Sequence, residues 1–289
     1  MGIAALLWGC AGPDSRVTQA PGPVVWPPPP DPPRYLYEAV LRDSNSIRSG
    51  GEEERLRQLL TGSEPEARGM SKPLGVAARG GRIYVTDTEA RKVHVFDVPR
   101  RRFFTFGYRL EGELRKPAGI AIDERGRVYV SDVGSRRVLK YDTFGFFLAA
   151  YGGAKDLERP TGVAVTPTGD RVYVVDSGGV DSDKHEIVAY DASGRLEFRF
   201  GGRGREPGRF NLPVDAAFSR LGTLYVLDAG NFRVQAFDRD GRHLASFGSA
   251  GTAPGQFSRP RGIATDPDGN VYVTDAGFSN VQVFDPQGR

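Results

Sequence analysis

No run of about 18 apolar residues occurs anywhere in the 289-residue chain, so no segment can span a membrane as a helix. An excess of one charge is also lacking. Lys and Arg number 39 against 36 Asp and Glu, and a net +3 over this length does not by itself imply a nucleic-acid partner. Histidine is limited to His94, His185 and His243, and cysteine to Cys10. What the chain has in quantity is glycine (38) and proline (21), which suits many short strands joined by tight turns better than a helical protein.

The single cysteine follows the short apolar run Ile3-Ala4-Ala5-Leu6-Leu7-Trp8-Gly9. Leu7-Trp8-Gly9-Cys10 resembles a bacterial lipobox, although Trp8 is bulky for its position and no Lys or Arg precedes the run. The two readings are lipidation of Cys10 after signal cleavage and an incidental thiol, and lipidation is the expectation carried forward. Met1-Gly2 is no myristoylation signal, because Leu6 stands where Ser or Thr is needed. Residues 11–33 turn polar and then proline-rich (PGPVVWPPPPDPP), a composition that cannot pack a core and is expected to form an extended polyproline II tether. Residues 34–71 follow as an N-terminal addition: an isolated strand over Arg34 to Leu41, then a short helix over Glu52 to Leu60 that places Leu56, Leu59 and Leu60 against the body.

Residues 72–289 repeat themselves. A Pro-x-Gly step recurs at Pro73, Pro117, Pro160, Pro213 and Pro260, with Asp215 in place of the fourth glycine. Each step leads into an alternating strand that closes on aspartate, at Asp87, Asp132, Asp176, Asp228 and Asp275. A second aspartate comes ten residues later, except in the third unit, where the loop DSGGVDSDKHE adds five residues. Glycine-rich turns such as DERGR, DASGR and DPDGN separate four short strands per unit. A single such sheet cannot bury both faces, but a ring of sheets can. Ala77, Ala121, Ala164, Ala217 and Ala264 hold one equivalent inner-strand position, small enough for crowded strands to approach one another, while Ile120, Ile122, Val163 and Val165 fill the opposite face.

The pattern P-x-G-[VI]-A, Y-V-x-D and R-V-x-x-F-D, best matched at Ala229-Gly230-Asn231-Phe232-Arg233-Val234-Gln235, resembles the NHL repeat family of β-propellers. The resemblance implies an all-β propeller with five recognisable four-stranded blades. The layout is similar to exported bacterial members, which usually carry six units, so an incomplete six-bladed propeller is the alternative. The fifth unit supplies three strands, and the unpartnered strand 34–41 is expected to close it by pairing outside Val281 to Phe284.

Candidate chemistry is sparse. An aspartate that recurs in every unit at a strand end is expected to hold its own turn. The three histidines fall at different radii of a ring and cannot converge on a catalytic zinc, and the acidic loop around Asp181, Asp183 and Glu186 lacks the glycine and distal glutamate of a calcium hand. Basic residues on the loop-bearing face are interrupted by acids, so no nucleic acid is expected as a partner. The positions that break the repeat are better guides. Asp215 and Arg261, in consecutive units, are expected side by side at the channel mouth as a salt bridge or a ligand-orienting pair. With Thr161, Arg137, Asn231 and Arg233 they form the candidate partner-binding set; no catalytic, cofactor or metal residue is assigned. The reading that results is a non-catalytic scaffold, lipid-anchored at the bacterial cell envelope, that binds a protein or glycan. The alternative is a propeller lyase or lactone hydrolase with a channel metal. Fold alone does not choose between them.

If Cys10 carries a lipid, the protein expressed in a bacterial host partitions with membranes and Cys10→Ala moves it to the soluble fraction; unchanged partitioning of the variant removes the anchor.

Overall fold

The structure, a computed structural model, describes residues 24–27, 29–47, 59–60 and 69–289, and the chain divides into two compact units, Met1–Leu41 and Arg42–Arg289. Cys10 and most of the expected helix lie outside the described residues; Leu59 and Leu60, its described end, are helical and exposed rather than packed.

In the first unit β1 (Val25–Trp26) pairs antiparallel with β2 (Tyr35–Leu36), Val25 opposite Leu36 and Trp26 opposite Tyr35. The Arg34 N–H donates to the Trp26 carbonyl and the Tyr37 N–H to that of Val24. Two expectations are corrected here. The proline-rich stretch reverses the chain instead of extending through it, and the strand within 34–41 pairs with its local neighbour, not with the last blade. Loop-closure entropy explains the choice. A partner across a short proline turn is far cheaper to reach than one roughly 240 residues away, and prolines already restrict the turn.

The second unit is a β-propeller. Its first four blades are four-stranded meanders. Blade 1 holds β3 (Pro73–Arg79), β4 (Arg82–Asp87), β5 (Lys92–Asp97) and β6 (Arg102–Phe106). Blade 2 holds β7 (Pro117–Ile122), β8 (Val128–Asp132), β9 (Arg137–Tyr141) and β10 (Phe147–Tyr151). Blade 3 holds β11 (Pro160–Val165), β12 (Arg171–Asp176), β13 (Glu186–Asp191) and β14 (Leu196–Gly201). Blade 4 holds β15 (Pro213–Phe218), β16 (Leu224–Asp228), β17 (Arg233–Phe237) and β18 (His243–Phe247). A short parallel pair, β19 (Ser249–Ala250) with β20 (Gln256–Phe257), leads to blade 5. That blade has three strands, β21 (Pro260–Thr265), β22 (Val271–Asp275) and β23 (Asn280–Phe284), and no described strand pairs outside β23.

The core lies between the blades. Four hydrophobic clusters each join two consecutive blades, the first around Tyr84, Phe106, Val130 and Tyr141, the last around Tyr225, Leu227, Val273 and Phe284. Five blades closed on themselves would need a fifth cluster. The inner strands pack in the succession β3, β7, β11, β15, β21, and no comparable packing returns from β21 to β3. The five blades follow one another around the axis as a propeller, and among the described residues blades 5 and 1 share no cluster of the kind that joins the others.

Two devices tie successive inner strands. The first is close backbone approach: a Cβ added at Gly75 would come within 2.6 Å of the Ala118 carbonyl, and one at Gly119 within 2.8 Å of the Gly162 Cα. Only glycine fits there. The second is a hydroxyl on the second strand. Thr86 Oγ1 donates to the Ala118 carbonyl at 2.7 Å and Ser131 Oγ to the Thr161 carbonyl at 3.0 Å, each crossing to the next blade. Tyrosines of the same strand reach outer turns of the next blade, as Tyr173 does to the Arg239 carbonyl and Tyr225 to that of Pro286.

Thr86→Val and Ser131→Ala each leave a buried carbonyl without its donor and are expected to cost about 1–3 kcal/mol in urea unfolding. Thr274→Val, at the equivalent exposed site in blade 5, stays within about 0.5 kcal/mol of the parent. Equal losses at all these positions would contradict this difference between the junctions.

Candidate functional site on the axis

Each inner strand begins with a slip in register. Pairing jumps from Pro160 to Gly162, Pro213 to Asp215 and Pro260 to Gly262, with longer slips in blades 1 and 2. A bulge leaves the residue after the proline out of the ladder and re-aims its side chain. Those residues, Leu74, Ala118, Thr161, Val214 and Arg261, all line one cavity of about 580 Å³. The cavity extends to Val76 on blade 1 and to Ala264 and Thr274 on blade 5, so it opens sideways between these two blades. The alanines do not wall a channel alone. Ala121, Ala164 and Ala217 pack into the clusters shared with the following blade, and Ala264, which no described blade follows, is exposed.

The recurrent aspartates set the rim. Asp132 accepts the Arg115 and Lys116 N–H groups, Asp176 those of Glu158 and Arg159, and Asp275 those of Ser258 and Arg259. Burial pushes the Asp275 carboxyl up, but its four backbone N–H donors outweigh this and hold it below the usual carboxylate range. At Asp228 burial wins instead, and the value is raised. By clamping the residues just before each proline, these carboxylates place Lys116 and Arg159 on the cavity wall. The sequence reading missed both residues. The signal was a basic residue directly before four of the five opening prolines, at Lys72, Lys116, Arg159 and Arg259.

Asp215 and Arg261 do line the same cavity, but they form no ion pair. The Asp215 carboxylate is engaged by backbone: Oδ1 accepts the Ala216 N–H at 2.9 Å and Oδ2 accepts the Ile263 N–H at 3.2 Å. It thus joins blades 4 and 5 directly, where other units rely on glycine contact, and leaves Arg261 exposed. Burial of the carboxyl between blades pushes it up to about 7 despite these two donors.

The other candidates separate. Thr161 is on the cavity wall, and its hydroxyl is a buried side-chain group with no partner among the described residues. Arg233 is not free to bind: Nε donates to Asp228 at 2.9 Å and Nη2 to the Glu206 and Arg209 carbonyls. Asn231 donates to the Gly204 carbonyl and to Asp228. Both fasten the loop before blade 4, because Asp228 lacks the second backbone donor that its counterparts hold. Arg137 is exposed at the start of β9 and away from the cavity.

The histidines serve packing. His94 is buried, with Nε2 3.2 Å from Asp87 Oδ2, and burial, then Lys92, lowers its pKa against the pull of that carboxylate. His185 accepts the Leu212 N–H on Nδ1, so its Nε2–H donates to the Gly179 carbonyl and ties the inserted loop to the entry of blade 4. Glu186 of that loop pairs with Arg199 at 2.6 Å, and among the described residues no three His, Cys, Asp or Glu side chains are grouped to hold a metal.

The Asp215 shift has a measurable consequence. With a folded value of about 7 against an ordinary 3.8, the folded protein keeps a proton that the unfolded chain releases. The stabilisation this provides is complete below about pH 4 and is lost as pH rises through about 7. Asp215→Asn, which cannot ionise, is expected to gain roughly 2–4 kcal/mol on the parent between about pH 4.5 and 8.5 in urea titrations. Parallel pH profiles for the two proteins would exclude the carboxyl as the source.

Three stretches, residues 114–141, 210–237 and 257–284, match the NHL repeat. Solved structures with this fold include one titled a nidogen/laminin complex (21% identity, TM-score 0.58, covering 76% of this chain and 80% of that chain). A gluconolactonase from Xanthomonas campestris is similar over 76% of this chain and 74% of its own, at 20% identity and TM-score 0.57. A catalytically inactive virginiamycin B lyase from Staphylococcus aureus with quinupristin matches at 15% identity and TM-score 0.53, covering 74% and 70%. At these identities the likenesses establish the fold alone. Together with the repeated inner-strand bulge and the aspartate clamp, the matched stretches show a β-propeller that carries NHL repeats at three positions.

Proposed function

We propose that the protein is a non-catalytic binding scaffold of the bacterial cell envelope whose axial cavity receives an acidic segment of a partner protein. The observation that carries this is the charge of the wall. Among the described residues, Lys116, Arg159 and Arg261 are exposed on it without ion pairs, and the one carboxyl there, Asp215, is engaged by backbone N–H groups. Between the cations lie Leu74, Ala118, Val214 and Ile263, a lining suited to a polypeptide with acidic and apolar side chains. A glycan is less well served, since sugars stack on aromatic rings and Tyr272 is the only aromatic residue on the wall among the described residues. The envelope location rests on the lipobox-like sequence at Cys10. That a propeller of this fold occurs in a nidogen/laminin complex is consistent with protein binding but does not select it.

Asp215 supports a second reading. A cavity carboxyl near neutrality suits acid–base catalysis, as a lyase or lactone hydrolase requires. One pair of measurements separates the two. A glutamate-rich apolar peptide should bind the parent protein, lose at least about tenfold in affinity for Lys116→Glu/Arg159→Glu/Arg261→Glu, and weaken with salt, while a neutral peptide of equal length does not bind. Lactone turnover by the parent that disappears in Asp215→Asn, with no peptide binding, would replace the scaffold with the enzyme.

A further inference from the structure

We propose that the end of blades 1 and 2 opposite their opening prolines is a docking face for an anionic lipid bilayer, in which phenyl rings enter the acyl region and arginines meet the lipid phosphates. The inference rests on two outer turns of the propeller. It is independent of what enters the axial cavity and of a lipid on Cys10.

The sheet register fixes which turns share this end. In blade 1, Arg79 pairs with Arg82, Arg82 with Asp97 and Asp97 with Arg102. In blade 2, Val128 pairs with Ile122 and Tyr141, and Tyr141 with Phe147. The turns 97–102 and 142–146 therefore lie at the far end of each blade from Pro73 and Pro117. In blades 2 to 5 this turn is built alike, one aspartate oxygen accepting the N–H groups two and four residues on. Asp191 holds Ser193 and Arg195 in this way, Asp238 holds Asp240 and Arg242, and Asp285 holds Gln287 and Arg289. Asp142 holds Phe144 and Phe146. Both rings stand in solvent, 62% and 70% exposed, and Leu148 and Val98 are exposed at the same end. Polar residues close the turn in blades 3, 4 and 5, so the fold does not require phenylalanine at either position.

Blade 1 supplies the charge. Arg82 Nη1 donates to the Thr143 carbonyl at 2.9 Å and to its hydroxyl at 2.6 Å, and the guanidinium lies 5.3 Å over the Phe144 ring. That ring is thus set before any ligand arrives. Between it and the 97–102 turn lies a depression of about 540 Å³, with Arg100, Arg101 and Arg102 exposed around it. The one acid lining it among the described residues, Asp97, is buried and accepts from Arg82 at 2.7 Å and Arg100 at 3.3 Å. Glu124, the exposed acid of blade 2 at this end, stands 3.9 Å from Arg220. Apolar turn tips flanked by arginines complement negative headgroups above hydrocarbon, and the arginine stems can lie along the acyl boundary with their charges among the phosphates. A single-stranded nucleic acid stacks its bases on open ring faces along a groove. Here the Phe144 face is covered by Arg82, and Phe146 stands at a turn tip. A bilayer on this end leaves the rim of the axial cavity, at the other end of the strands, open to a partner.

Vesicle sedimentation tests this on the full chain carrying Cys10→Ala. Binding is expected to vesicles of equal parts phosphatidylethanolamine and phosphatidylglycerol, and to be at least about tenfold weaker to phosphatidylcholine vesicles. It should weaken with added salt, which a lipid on Cys10 would not do. Phe144→Ser/Phe146→Arg gives the blade 2 turn the residues of blade 3. The melting temperature is expected to stay within about 4 °C of the parent, while vesicle affinity falls at least about tenfold despite the added positive charge. Arg100→Glu/Arg102→Glu is expected to lose at least about tenfold as well. Lys116→Glu/Arg159→Glu/Arg261→Glu acts at the other end of the strands, more than a Debye length away, and should change vesicle binding by less than about twofold. No binding to the anionic vesicles, or equal binding to neutral ones, would overturn the proposal. So would unchanged or tighter binding of Phe144→Ser/Phe146→Arg, which would leave charge alone as the attraction. A loss in the axial variant equal to that of Arg100→Glu/Arg102→Glu would make the attraction diffuse and overturn this face. An oligodeoxynucleotide or polyglutamate that binds through the same residues in preference to vesicles would put a nucleic acid or an acidic peptide in place of the bilayer.

Discussion

Everything in this propeller follows from a sheet that is apolar on both faces and can be covered only by another sheet. A lone four-stranded blade would expose half its valines and tyrosines, so its stability is shared with its neighbours. The sharing is tightest near the axis, where inner strands converge. Gly75, Gly119 and Gly162 remove the side chain at the point of contact, and Thr86 and Ser131 convert the remaining backbone polarity into cross-blade hydrogen bonds. Apolar clusters join the four pairs of consecutive blades, and among the described residues none joins blade 5 to blade 1, where Val76, Val281 and Val283 are exposed.

The same constraint builds the candidate site. Convergence leaves no room for a regular strand start, so the ladder slips and the residue after each proline turns into the axial cavity. The strand-end aspartates then hold the preceding loop by its N–H groups, which places cationic side chains on the cavity wall without neutralising them. Asp215 is the exception that shows the cost of departing from glycine: its carboxyl substitutes for close approach between blades 4 and 5, and its burial raises its pKa to about 7.

Much of this was legible in the chain. Tandem repetition determined the fold, because each unit carries its own strands, turns and aspartate clamp as local patterns: alternation at a period of two, glycine at turns needing positive φ, and Asp at a fixed offset from proline. The repeat-breaking positions after each proline likewise pointed to the axial cavity, since a repeat conserves what builds the blade and varies what faces away from it.

What only the tertiary structure decided is which groups already had partners. Arg233 and Asn231 read as free surface residues but hold the loop before blade 4, and Arg261 stands apart from Asp215 because two backbone amides from converging strands reach that carboxylate. The strand near Tyr35 read as a closing strand, yet a hairpin across nearby prolines competes with a distant edge at much lower entropic cost. Local pattern specifies the unit. Partners separated by whole blades, and the choice between a near and a far strand, depend on distances that exist only once the sheets have packed.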